Sequence, residues 1–343
     1  MVSREPSQLT IRFNHPIAAL LSHMIENSVS IIIPVKNGMP HLKQVLAAID
    51  MQEYDSAIDV ICIDSGSKDG SLDCIAAHDA TLIQIAPQDF GHGRTRNFAA
   101  TQSRAQYLVF LTHDAIPDNP NWLSELIHPM REDANVAGVF SRHIAHHGAD
   151  PFTKWELAET FDALRSYPVI ELDDPQSYYA DQSLRQIYHF FSDNASALRR
   201  SVWKKFPLPN VQFAEDQIWA KSIIEAGYKK AYAHASVIRH SHSFGPFETL
   251  RRSYDESRAF RKLFGYRLIT SPGMLFQSIL FLMHRDLGNA LRHGWIFSHP
   301  AKTLSRVFES IAKPLGHYLG AIPKLSARWQ SRLSRDSWIR SLQ

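Results

Sequence analysis

A chain of 343 residues with 44% hydrophobic and 21% charged side chains suits a globular protein with a real core, as one large domain or two small ones. Two cysteines, Cys62 and Cys74, exclude a disulfide framework, and no apolar run nears the roughly 18 residues that span a bilayer. The formal charge of +3 hides an asymmetry: residues 244–343 hold 16 Lys/Arg against 6 Asp/Glu, so the rest is net acidic and the last hundred residues call for an anionic partner, membrane surface or nucleic acid.

Residues 1–28 mix Arg4, Glu5, His15 and Glu26 into a weakly apolar segment, and Pro16–Leu21 is too short for a signal-peptide core. They are expected to be an irregular or partly helical lead-in, and the protein is expected in the cytoplasm. Val29–Pro34 is a β-branched run stopped by proline, a central parallel strand. Met39–Met51 repeats apolar residues at helical spacing: Leu42, Val45, Leu46 and Ile49. Ile58–Ile63 is a second strand, with Cys62 as a buried small hydrophobe. Ser71–His78 is a helix, Thr81–Ile85 a third strand, and Phe90–Asn97 leads into a helix reaching about Ser103. Tyr107–Leu111 is a fourth buried strand, halted at Thr112-His113-Asp114.

This β-α-β-α-β-α-β order with short links predicts an α/β fold built on a doubly wound, mostly parallel sheet flanked by helices. Its loops at Pro34, Asp64 and Asp114 then share one sheet edge, with an anion-binding helix N-terminus after each of the first two. In isolation Asp114 is a turn residue before Pro117. Two motifs fail: Gly91-x-Gly93-x-x-Arg96 lacks the third glycine of a dinucleotide fingerprint, and Asp64–Gly70 lacks the oxygens of a calcium loop at Gly66 and Lys68. Further on, Asn121–Arg131 is a helix and Val136–Phe140 a strand. Residues 146–186 form a variable lid or acceptor region. Glu215-Asp216 opens a helix running to Gly227, and Tyr228–Ala233 and Ser236–Ile238 are extended.

Taken together, Ser30–Pro34, Asp64–Ser71, Arg96-Asn97, Asp114, Glu215-Asp216 and His240 resemble family 2 glycosyltransferases, nucleotide-sugar enzymes of GT-A fold, over about residues 29–243. Phe90-Gly91-His92-Gly93-x-x-Arg96-Asn97 with Leu111-Thr112-His113-Asp114-Ala115 resembles the bacterial rhamnosyltransferase branch, which uses dTDP-L-rhamnose to build surface polysaccharides such as O-antigen. Many members carry Asp-x-Asp at the fourth strand; here Thr112 replaces the first carboxylate.

The resemblance implies an inverting hexosyltransferase. Asp114 and His240 would hold Mn²⁺ or Mg²⁺, with His242, on the same face of an extended segment, the alternative ligand to His240. Asp216 would be the general base. Pro34, Val35 and Lys36 would frame the nucleobase, Asp64 would accept from its N3–H, and Arg96, Thr112 and His113 would contact nucleotide or diphosphate. Asp193, Asn194 and Glu215 would serve the acceptor. The donor would be a dTDP- or UDP-sugar and the acceptor a saccharide or polyprenyl-diphosphate-linked saccharide. A UDP-hexose enzyme of the same fold and a non-catalytic scaffold of polysaccharide assembly are the alternatives; a nucleotidyltransferase would need a glycine-rich phosphate loop that Pro34–Gly38 is not.

Residues 244–343 read as a basic, mostly helical region. Its cations, ending in Lys324, Arg328, Arg332, Arg335 and Arg340, alternate with aromatics such as Phe276, Phe281, Trp295, Trp329 and Trp338. Two readings fit: attachment to the cytoplasmic face of the inner membrane, or a solvated helical cap on the catalytic domain. No nucleic-acid recognition motif accompanies the charge.

Overall fold

The structure is a computed structural model and describes residues 27–323 and 325–335. Most of the expected lead-in, together with Lys324, Trp338 and Arg340, lies outside the described residues. The first half runs β1 (Val29–Val35), α1 (His41–Asp50), β2 (Ile58–Asp64), α2 (Ser71–Ala76), β3 (Thr81–Gln84), α3 (His92–Gln102) and β4 (Tyr107–Leu111). The second runs β5 (Ile116–Pro117), α4 (Trp122–Glu132), β6 (Val136–Ile144), α5 (Pro151–Ala163), β7 (Val169–Ile170), α6 (Pro175–Ala180), α7 (Gln182–His189), β8 (Ala195–Arg199), α8 (Arg200–Trp203), α9 (Glu215–Glu225) and β9 (Lys229–Arg239). Helices α10 (Pro246–Phe264), α11 (Pro272–Arg292), α12 (Trp295–Ser298), α13 (Pro300–Ala321) and α14 (Ala327–Leu333) follow.

One sheet takes up every described strand, in the order β3-β2-β1-β4-β8-β6-β9-β5, with β7 on β9. The expected parallel unit is there: β3, β2, β1 and β4 are parallel neighbours. Beyond β4 the sheet is mixed. Strand β8 enters antiparallel to both β4 and β6, while β6 and β9 pair in parallel. Successive side chains of β1 bury on opposite faces. Ile31 and Ile33 pack with α1 and α4, and Ile32 packs with α3 and α9. A strand buried on both faces must be continuously apolar, which is why this half is readable as a pattern.

The later half departs from expectation in three places. Strand β6 runs to Ile144, four residues beyond the expected end. The two extended segments expected around residue 234 are one strand, β9, with a bulge where Ser141 pairs Ala233 but Arg142 pairs Val237. Residues 146–186, for which no elements were expected, carry three helices. Asp150, Asp174 and Asp181 each accept backbone N–H groups at the starts of α5, α6 and α7. Asp-Pro at 150–151 and 174–175 is the local signal for two of these starts.

Helices α10 and α13 approach so closely that a Cβ on Gly316 would lie 2.4 Å from the Leu250 carbonyl oxygen, and one on Gly320 2.5 Å from that of Tyr254. Glu156 of α5 binds Arg306 of α13 at 2.8 Å, and Arg306 also binds Asp286 of α11 at 2.8 Å. This charge-assisted network ties the C-terminal helices to the strand-bearing body. No helix of the described residues is long and apolar enough to cross a membrane.

Candidate active site

Parallel strands bring their C-terminal ends to one edge. Val35 of β1 lies opposite Asp64 of β2, and Ile32 opposite Phe110 of β4, so the loops after Pro34, Asp64 and Leu111 converge as expected. The first two loops are laced together. Lys36 Nζ donates to the Ser65 carbonyl at 2.9 Å, the Asn37 N–H to Ser67 Oγ at 2.8 Å, the Gly38 N–H to Ser71 Oγ at 2.9 Å, and the Met39 N–H to Asp69 Oδ2 at 2.8 Å. The amides of Asn37, Gly38 and Met39, just before α1, are therefore taken by side chains of the second loop. Pro34 and Val35 form the floor, and His113 Nδ1 sits 3.3 Å from the Pro34 carbonyl oxygen.

Asp64 is fully buried and its carboxylate is engaged by its own loop. Oδ2 accepts from the Gly66 N–H at 2.8 Å and Oδ1 from the Ser67 hydroxyl at 2.5 Å. Gly66 makes this turn at φ +91°, a conformation that favours glycine. Arg96, expected to contact nucleotide or diphosphate, points into the protein toward Glu215 and Asp193. Buried, it donates to Glu215 Oε1 at 3.2 Å and to the Asp193 carbonyl at 3.3 Å. The helix α3 N-terminus approaches the 206–210 turn, which excludes a Cβ at Gly93 and directs Arg96 inward.

Behind Arg96 stands a carboxylate group. The Asp193 N–H donates to Asp216 Oδ2 at 3.3 Å, and Asp216 Oδ1 accepts from the Gln217 N–H at 2.8 Å. Asp193 Oδ1 accepts from Ser196 Oγ at 2.7 Å, while its buried Oδ2 has no partner. Burial and the neighbouring Glu215 and Asp193 charges hold Asp216 well above the usual carboxylate range. Burial, opposed by Arg96 and helped by Glu215, lifts Asp193 to about 6. Asp193 and Asp216, buried side by side, cannot both ionise freely.

At the end of β4 the chain turns, with the Ala115 N–H donating to the Thr112 carbonyl at 3.0 Å. Asp114 is therefore a turn residue and also part of a cluster. His240 Nε2 lies 3.6 Å from Asp114 Oδ1, and His242 Nε2 3.9 Å from Oδ2. The bulge in β9 sets the register that delivers both imidazoles. One donor atom from each of the three residues lies within 4.8 Å of the others. One carboxylate and two imidazoles at this spacing fit a divalent cation. The electrostatics are compatible with this: burial takes His240 down to about 4 and lowers His242, so both rings are neutral at pH 7, as a metal ligand must be. Burial opposes ionisation of Asp114, but His240 and His113 outweigh it and hold the carboxyl below its usual range. Thr112 Oγ1 is buried with no hydrogen bond of ordinary geometry among the described residues.

Asn194 joins the two groups. Its carbonyl accepts from the Thr112 N–H at 3.0 Å, and its amide lies 3.5 Å from His240 Nδ1. Asp193 bonds Asp216 through its backbone, and the next residue reaches the Asp114–His240–His242 cluster. Sequence reasoning missed His143, which is buried 5.6 Å from the His240 ring and 3.4 Å from Ser192 Oγ. Ending β6 at Phe140 hid it. It also missed a cavity of about 460 Å³ that opens from His240 and His242 toward Glu156, Arg252, Arg285 and Arg306.

A parallel half that gathers strand-end loops, joined to a mixed half that delivers a carboxylate and imidazoles to β4, is the GT-A glycosyltransferase architecture. The chain belongs to glycosyl transferase family 2, which residues 30–206 match. It is 33% identical over 233 residues to the O-antigen chain rhamnosyltransferase WbaN of Salmonella anatum, covering 66% of this chain and 70% of that one. It is 32% identical over 233 residues to RfbN of Salmonella typhimurium, another O-antigen chain rhamnosyltransferase, with the same coverage. The fold is similar to the mannosyltransferase PcManGT of Pyrobaculum calidifontis, solved with GDP-Man and Mn²⁺, with a TM-score of 0.54 at 16% identity, covering 83% of this chain and 85% of that one.

Proposed function

We propose that the chain transfers L-rhamnose from dTDP-L-rhamnose, with inversion, to a saccharide acceptor of bacterial surface polysaccharide. The observation that carries the mechanism is the Asp193-Asn194 pair. One residue contacts Asp216 and the next contacts His240, which ties the proposed base to the proposed metal ligands through adjacent residues. The Salmonella relatives support the donor assignment.

Asp114, His240 and His242 would hold Mn²⁺ or Mg²⁺, which when bound neutralises the leaving diphosphate as a Lewis acid. With the Asn194 side-chain oxygen turned toward His240 Nδ1 to accept its N–H, Nε2 keeps its lone pair toward the cluster. Asp216 takes the acceptor O–H proton as that oxygen bonds to the anomeric carbon. The C–O bond to the diphosphate breaks, and its electron pair leaves with the diphosphate. A single displacement inverts the centre. Asp216 keeps an acceptor lone pair for this proton, since each of its oxygens accepts one backbone N–H. Arg96 and Glu215 act as a buried strut beneath the Asp193 loop. Lys36, Pro34 and Val35 frame the base, and Asp64 reaches its N3–H by giving up the Ser67 hydroxyl.

Asp216→Asn is expected to lower kcat about 10²- to 10⁴-fold while nucleotide-sugar affinity survives. Full activity in that variant overturns the mechanism. A thermal-shift series with dTDP, UDP and their sugars tests the donor; stabilisation by UDP-hexose alone would reassign it.

A further inference from the structure

Helices α11 and α13 are inside out. The side chains that α11 buries are Asp286, Asn289 and Ala290. Those that α13 buries are small or polar, including Thr303, Ser310 and Gly316. The large apolar side chains face outward: Phe276, Leu280 and Phe281 on α11, Phe297 on α12, and Leu304 and Phe308 on α13 are between 50% and 85% exposed. A helix that packs on a protein core in water does the reverse. Exposed apolar clusters of this size mark a docking surface.

Charge identifies the partner. From Arg267 to Phe308 the sequence holds one acidic residue, Asp286. It is buried, and Arg285, Arg306 and Ser310 engage it. The exposed charges of this stretch are Arg267, Arg292 and Lys302, all cations. A second copy of the same face would repel it. We propose that α11–α13 dock on an anionic phospholipid surface, lying in its interface. The aromatic and aliphatic side chains enter the acyl boundary, and the cations sit at the headgroups. None of these helices can span the bilayer.

The inner sides of α11 and α13 line the cavity that opens at His240 and His242. Docking would therefore hold that cavity beside the lipid, where a lipid-linked saccharide could enter. This consequence rests on the proposed transferase reading; the docking itself does not.

The test is sedimentation of the full chain with phosphatidylcholine vesicles, with and without phosphatidylglycerol. Binding is expected on the anionic vesicles and is expected to fall with salt. R267Q/R292Q should weaken it about fivefold per cation removed. F276S/F281S/F308S should weaken it at least about tenfold at an unchanged Tm. Four results would overturn the proposal. They are no binding to either vesicle, undiminished binding by both variants, a concentration-dependent dimer that the Phe substitutions dissolve, and binding that appears only once residues 1–26 are removed. The last would mean that the chain's own N-terminal segment covers the face. Since vesicle binding requires no turnover, an inactive protein that binds lipid would count against the transferase reading alone.

Discussion

At the scale of single residues, charge balance dominates. Asp193 is buried beside Glu215 and Asp216, and Arg96 is the cation that faces Asp193 and Glu215. Its carboxyl titrates higher in the folded than in the unfolded chain, so the fold binds more protons between about 4 and 6. Stability on this account is fully present below pH 4 and is lost as pH rises through 6. Asp193→Asn is expected to raise stability at pH 8, by on the order of 1–3 kcal/mol, with no gain at pH 4. Thermal unfolding at both pH values checks it. The same substitution removes a negative neighbour of Asp216. The acid limb of the kcat/KM profile should therefore move to lower pH, a shift that a purely structural role would not produce. Asp114→Ala is expected to abolish stabilisation by Mn²⁺ in a thermal-shift titration, because two imidazoles alone lose the charged ligand.

Elements are positioned by polar contacts that local propensity does not register. His189 at the end of α7 is buried between two phenols, with Tyr178 Oη at 2.6 Å from Nε2 and Tyr266 Oη at 2.6 Å from Nδ1. It links the strand-bearing body to the segment after α10. Burial takes its pKa down to about 3. The unfolded chain then binds the extra proton between pH 6.5 and 3, so this contribution to stability falls as pH drops through that window. Replacing His189 with Phe should flatten the acid slope of Tm while lowering Tm at pH 7. A second contact is backbone on backbone. Gly316→Leu would place a side chain against the Leu250 carbonyl, and a loss of about 1–3 kcal/mol or more is expected in denaturant titration. The bulge of β9 belongs to the same scale, since without its three extra residues His240 would not be in register with Asp114.

Across the whole molecule, one edge collects the chemistry and one flank collects the positive charge. The edge draws on loops from β1, β2 and β4, the return into β8, the start of α9 and the end of β9. Ligands that occupy opposite parts of one such crevice should reinforce each other. Mn²⁺ and dTDP together are expected to raise Tm by more than the sum of their separate shifts, and EDTA should return the nucleotide shift to its metal-free value. Strictly additive shifts would place the two in independent sites. The flank is the α11–α13 face, and its outward aromatics explain why a basic, aromatic-rich stretch was readable as either membrane-seeking or packed.

The chain's own pattern determined the parallel half. Continuous β-branched runs ended by Pro34, Asp64 and Thr112 can be satisfied only by strands buried on both faces, and parallel strands end together. The motifs spaced along it were sufficient for the family, and Asp114, His240 and Asp216 were identifiable by type and order. Tertiary structure alone decided what those residues touch. Arg96 became a strut because its helix packs where its side chain meets Glu215, 119 positions away. His242 joined the cluster because a bulge reset β9, and the direction that Phe276 and Phe308 face depended on which sides of α11 and α13 the body had already taken.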